Sequence, residues 1–145
     1  MAKQIKIEVA SGEIMYADLL EDLAPKTCQA FLADLPYENK ILGHAKFSGH
    51  VLSVFTDMTL RIPECSRAYG VCPGDILYNP HTVDEPEHPH ELSIVYGPAA
   101  LRNIAGFAVS NLFARIHPTY LPMLYKLGID VNRHGERPVK ITAVL

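Results

Sequence analysis

The 145-residue chain, with 48% hydrophobic and 20% charged side chains, has the composition of one globular domain able to bury a core without disulfide staples. Its net charge of −3 and lack of a basic block argue against nucleic-acid binding through phosphate contacts. No apolar run approaches the roughly 20 residues of a membrane span, and Met1 to Lys6 lacks the apolar stretch of a secretion signal. Three cysteines (Cys28, Cys65 and Cys72) without metal-type spacing fit reduced thiols and a cytoplasmic setting.

The elements follow in chain order. Lys3 to Val9 alternates, with Ile5, Ile7 and Val9 on one side. Glu13 to Leu19 does so more loosely, with Met15, Ala17 and Leu19 on one side. Joined by Ala10-Ser11-Gly12, the two runs predict a hairpin with one wet face. Pro25 to Leu35 predicts a helix. Proline suits the first turn, Glu21 and Asp22 sit near the positive end of the dipole, and Cys28, Phe31, Leu32 and Leu35 form one apolar stripe. Pro36 stops it.

Lys40 to Phe47 and His50 to Phe55 predict two strands, and Thr56 to Pro73 a long connection broken by Pro63, Gly70 and Pro73. Asp75 to Tyr78 and Glu91 to Tyr96 predict strands, with Asn79 to His90 as a loop between them. Ala99 to Ile104 reads as a short helix, and Val109 to Ile116 as a strand. Thr119 to Leu127 reads as a helix capped by Gly128, and Val139 to Leu145 as the last strand. About eight short strands with two short helices predict a mainly β protein, a closed β-barrel capped at its ends. Both terminal strands take part in the closure.

Ala24-Pro-Lys-Thr-Cys-Gln-Ala-Phe-Leu32 is similar to a helix motif of the cyclophilins, and Lys140-Ile-Thr-Ala143 resembles their closing strand. The catalytic stretch of the true prolyl isomerases is absent. His44-Ala-Lys-Phe-Ser-Gly-His50 occupies the comparable region, with Lys46 near where an arginine belongs, and the chain has no tryptophan. The order of His44-Ala-Lys-Phe-Ser-Gly49, Pro73-Gly-Asp-Ile-Leu-Tyr78 and Ile94-Val-Tyr-Gly97 resembles small bacterial and archaeal cyclophilin-like proteins of unknown function. That resemblance implies a compact cyclophilin-like barrel with a pocket and names no activity.

Three groups of residues carry chemistry. His44, Lys46, Ser48 and His50 point to one face if the segment is an extended strand. There Lys46 would anchor a carboxylate and His44 would move a proton. A solvent-exposed strand face is the plainer reading. Ser48 lacks the elbow and orienting acid of a hydrolytic nucleophile. His81, His88 and His90 share a loop with Asp84, Glu85, Glu87 and Glu91, a donor set suited to zinc, nickel or iron. Their spacing matches no metal signature, and an acidic solvated loop is favoured, so neither metal nor cofactor is expected. Tyr78 and Tyr96 end neighbouring strands, with Arg102, Asn111 and Arg115 following. The tyrosines and Arg102 would suit a small carboxylate or amide, whereas Arg115 reads as a surface charge.

The expected function is binding of a small polar metabolite, with or without catalysis. His44 would be the proton-transfer group, and Lys46, Ser48, His50, Tyr78, Tyr96 and Arg102 the ligand contacts. The alternatives are a prolyl-isomerase-like or peptide-binding module, and a non-catalytic self-associating protein. The apolar segment Tyr120, Leu121, Met123, Leu124 and Tyr125 points to a homodimer.

Overall fold

The computed structural model describes residues 3–80, 90–104 and 106–145. In chain order its elements are β1 (Gln4–Val9), β2 (Ile14–Leu19), α1 (Pro25–Asp34), β3 (Tyr37–His44), β4 (Gly49–Thr56), β5 (Ser66–Arg67), β6 (Asp75–Tyr78), β7 (His90–Ala99), β8 (Arg102–Asn103), β9 (Gly106–Phe107), β10 (Ser110–Ile116), α2 (Leu121–His134) and β11 (Arg137–Val144).

Period-two alternation builds the first hairpin. Ile5, Ile7 and Val9 of β1 and Met15, Ala17 and Leu19 of β2 are buried on one face. Gly12, at φ +109°, makes the turn, a conformation few side chains adopt. The sheet runs β2-β1-β11-β3-β4-β7-β6-β10, and β10 pairs back onto β2 through Leu19↔Ala114 and Ala17↔Ile116. This is the closed eight-stranded antiparallel barrel expected from the sequence, and closure leaves its ring no open edge. The short strand β5 adds onto β10 outside the ring. No helix among the described residues is long and apolar enough to cross a membrane.

Two apolar clusters hold the molecule. The larger fills the barrel, with Ile5, Ile7, Leu42, Leu52, Ile76, Ile94 and Phe113 among its buried members. The smaller lies on the outer face of β4, β6, β7 and β10, where Val51, Leu77, Val95 and Leu112 are covered by loop residues such as Ala45, Cys65, Val71 and Ala108. These strands are therefore apolar on both faces, and all four residues of β6 are buried.

Each end of the barrel carries a helix. Phe31 of α1 packs against Phe113 at 5.0 Å and edge-on to Tyr37 at 5.8 Å. The cap of α1 comes from a distance. Ala24, at the N-cap position, has no side chain able to accept. The Glu64 carboxylate, 37 residues ahead of Thr27, accepts from the backbone N–H groups of Lys26 (3.1 Å) and Thr27 (2.7 Å) and from the Thr27 hydroxyl (2.7 Å). Asn111, fully buried, donates to Thr27 Oγ1 and to the Ile62 carbonyl, and accepts from the Glu64 N–H.

Three expectations are corrected. The strand predicted for Lys40 to Phe47 starts at Tyr37 and stops at His44. The helix predicted for Ala99 to Ile104 does not form. Strand β7 runs on to Ala99, and Arg102–Asn103 pairs with Gly106–Phe107. The N–H groups of Ala100, Leu101 and Arg102 bond to Ser48 O, Ala68 O and Ser48 Oγ, so no helical ladder is left for them to join. Helix α2 runs to His134, well beyond Leu127. Gly128 lies inside it, and Gly135, at φ +99°, ends it.

Candidate functional site

At the α2 end of the barrel the last residue of β3, the start of β4, the middle of β7 and one face of α2 bring four rings together. These belong to His44, His50, Tyr96 and Tyr125. The Tyr96 ring is buried at the centre. His44 stands edge-on to it at 5.6 Å, His50 at 5.1 Å and Tyr125 at 6.1 Å, while His50 and Tyr125 are 6.2 Å apart. Two glycines make the packing feasible. A Cβ on Gly128 would lie 2.5 Å from the Tyr96 ring, and one on Gly97 would lie 3.0 Å from the His50 side chain.

Hydrogen bonds fix the tautomer of both imidazoles. His44 Nδ1 lies 2.7 Å from the Ala45 carbonyl, which can only accept, so the proton sits on Nδ1. With that tautomer Nε2 carries a lone pair, and the Tyr96 hydroxyl donates to it at 2.6 Å. His50 Nδ1 donates to the Pro98 carbonyl at 3.1 Å, which likewise leaves Nε2 as its basic nitrogen. Burial, with Tyr125 alongside, raises the Tyr96 hydroxyl above its ordinary range, so it stays protonated as the donor. Both imidazoles are half-buried and Tyr125 is exposed, so the cluster meets solvent on one side. The pair sets an O–H donor against an imidazole acceptor at hydrogen-bond distance.

The other sequence-predicted residues are dispersed. The expected polar row does not form, because residues 45–48 turn instead of continuing as a strand. Lys46 is exposed on that turn, whereas Ser48 is buried and committed. Its hydroxyl donates to the Arg102 carbonyl at 3.2 Å and accepts from the Arg102 N–H at 2.9 Å, binding the turn to β8. The Arg102 guanidinium lies outside, 5.0 Å from the centre of the Phe107 ring.

Tyr78 is at the opposite end of the barrel. It ends β6, and β7 runs antiparallel beside it, so Tyr78 pairs with Leu92, four residues (about 13 Å) from Tyr96. Its hydroxyl is within reach of the Leu60 (3.0 Å) and Met58 (3.2 Å) carbonyls and of His90 Nδ1. Burial pushes it up to about 12. The His90 ring stacks on that of Tyr78 at 5.8 Å, while His81 and His88 lie outside the described residues. Among the described residues no group of three His, Cys, Asp or Glu side chains is placed to hold a metal ion. Arg115, half-exposed, pairs with the buried Asp75 at 2.9 Å.

Tyr125 and the two glycines were not singled out for the site by the sequence. A glycine interrupting an apolar helical pattern is a readable sign of close approach, and Gly128 is such a glycine.

A family model, "Protein of unknown function (DUF3830)", matches residues 5–143. The chain belongs to the DUF3830 family. No curated protein matches it. Among solved structures this DUF3830 chain is similar to McbB in complex with tryptophan, at 17% identity and a TM-score of 0.78 over 96% of its length. It spans less than half of McbB, covering 44% of that chain. It also resembles the hypothetical protein AF2241 from Archaeoglobus fulgidus, at 17% identity and a TM-score of 0.62, covering 99% of this chain and 95% of that one. A third neighbour is a cyclophilin-type peptidyl-prolyl cis-trans isomerase from Cryptosporidium parvum in the presence of the dipeptide Ala-Pro. That match has 14% identity and a TM-score of 0.55, and covers 98% of this chain and 99% of that one. At these identities the likeness is one of fold, and the DUF3830 barrel is cyclophilin-like.

Proposed function

We propose that the protein binds a small polar metabolite at the α2 end of its barrel. In this reading the ligand meets His44, His50 and Tyr125, and, because both nitrogens of His44 are bonded, a proton passing between it and His44 goes through the Tyr96 hydroxyl, which gives its own proton to Nε2 and takes the ligand's. The exposed Lys46, on the adjoining turn, supplies a positive charge for a carboxylate. The observation that carries the reading is the chain of bonds from the Ala45 carbonyl through His44 to Tyr96. It fixes one tautomer and leaves a hydroxyl–imidazole pair beside solvent. Tryptophan, seen with McbB, is a reasonable first probe. A cytoplasmic setting is consistent with the three free cysteines. The half-exposed Met123 of α2 fits a homodimer.

The isomerase-like alternative is less well supported, since neither β3 nor β4 carries an arginine. The reading is tested by titrating tryptophan and other small amino and hydroxy acids while recording histidine-ring NMR signals. The expected result is a shift of the His44 and His50 signals by at least one acid, with binding at least tenfold weaker in His44→Ala. If no acid moves either ring at millimolar concentration, the proposal is wrong.

A further inference from the structure

Outside the imidazole cluster, the loops that cover the outer apolar face leave an open groove of about 540 Å3, lined by Cys65, Ser66, Arg67, Ala68, Tyr69 and Val109. That volume lies within the range of small-molecule sites. Backbone bonds fix its walls. Strand β5 pairs with β10 through Arg67↔Ser110 and Ser66↔Asn111, the Leu101 N–H donates to the Ala68 carbonyl at 2.6 Å, and the Leu112 N–H donates to the Cys65 carbonyl at 3.3 Å.

Its surface combines two chemistries. Tyr69 is 72% exposed and Phe107 53% exposed, unusual for rings of that size, and the two lie 5.6 Å apart. The Arg102 guanidinium covers Phe107, and Arg67 lines the groove itself. Among the described residues the lining contains no carboxylate. Arginine presents a fork of donors that matches a carboxylate, and Arg67 shares the groove's lining with Tyr69, whose ring contacts that of Phe107. The chain as a whole is negative, so this local positive charge is not part of a general anion-attracting surface.

We propose that this groove is a binding site for a small aromatic carboxylate, with its ring against Tyr69 and Phe107 and its carboxylate held by Arg67. The site is independent of the imidazole cluster, so either assignment can fail without the other.

The test uses the full chain, trans-cinnamate as the anionic probe and trans-cinnamamide as its neutral counterpart, followed by NMR at Tyr69, Phe107 and Val109. Cinnamate is expected to shift these three signals, and the amide to bind about tenfold more weakly, as loss of one charge-assisted contact predicts. Arg67→Gln and Tyr69→Ala alter exposed side chains, and each is expected to weaken cinnamate about tenfold with the melting temperature unchanged. The proposal is overturned if cinnamate causes no shift at millimolar concentration, or if amide and acid bind alike. It is also overturned if the shifts fall at His44, His50 and Tyr125, or if Tyr69 mediates association between copies of the chain in place of ligand binding.

Discussion

The two ends of the barrel are built from similar parts and come out differently. At the α1 end, Phe31, Tyr37 and Tyr78 are buried, and the polar tip of each tyrosine is engaged. The Tyr37 hydroxyl donates to Asp34 at 2.6 Å, and that of Tyr78 lies among the Met58 and Leu60 carbonyls and against Nδ1 of the half-buried His90. At the α2 end a buried tyrosine again meets a half-buried imidazole, but a second imidazole and a second tyrosine ring pack around it. An aromatic plug with its polar atoms satisfied inside contributes stability. The two ends differ in what holds the hydroxyl: two backbone carbonyls and an imidazole at Tyr78, an imidazole at Tyr96.

The largest expected effect tests the α1 end. Phe31 is fully buried between Phe113 and Tyr37, so Phe31→Ala should cost about 3–5 kcal/mol in chemical denaturation, with the His44 ring signal of the folded fraction unchanged. A movement of that signal would show that the two ends are not separable.

Gly128→Ala is the next test, and its sign is the point. At an ordinary helical site the change stabilises by about 1 kcal/mol. Here the new Cβ would lie 2.5 Å from the Tyr96 ring, so a loss of about 1–3 kcal/mol is expected, together with disruption of the Tyr96–His44 bond. A more stable variant with an unchanged His44 titration would contradict the packing described.

The smallest effect concerns the cap of α1. Burial works against the Glu64 charge, but three bonds from Thr27 and Lys26 outweigh it and hold its carboxyl below the ordinary range. A depressed acid contributes stability above its unfolded value of about 4.3 and loses it as pH falls through the folded value. Glu64→Gln should therefore cost about 1 kcal/mol at neutral pH. The two proteins should converge in acid. A gap that persists at low pH would mean that the carboxylate's charge is not what caps the helix.

Much of the barrel was legible because its first hairpin and first helix obey simple periods. Ile5, Ile7 and Val9 alternate, and Pro25 opens a helix that Pro36 closes. The outer apolar face was harder to read, because Leu77, Val95 and Leu112 lie beneath loops that are distant in sequence. The candidate site was partly legible. His44, His50 and Tyr96 were named, but as members of a flat row and a tyrosine pair. What gathers them is the turn at 45–48, the antiparallel pairing of β4 with β3 and β7, and a glycine on α2, all of which are set by tertiary contacts. Tyr78 was placed with Tyr96 because both finish strands, and antiparallel neighbours finish at opposite ends.

β11 is hydrogen-bonded to β1 on one side and to β3 on the other, from Gln4↔Val144 to Arg137↔Leu42. While the chain is being synthesised, the hoop therefore lacks one stave until residue 144 clears the ribosome. Until then β1 and β3 each present raw backbone to any passing chain. For this architecture the exposure ends only when the eight-residue β11 takes its place between them.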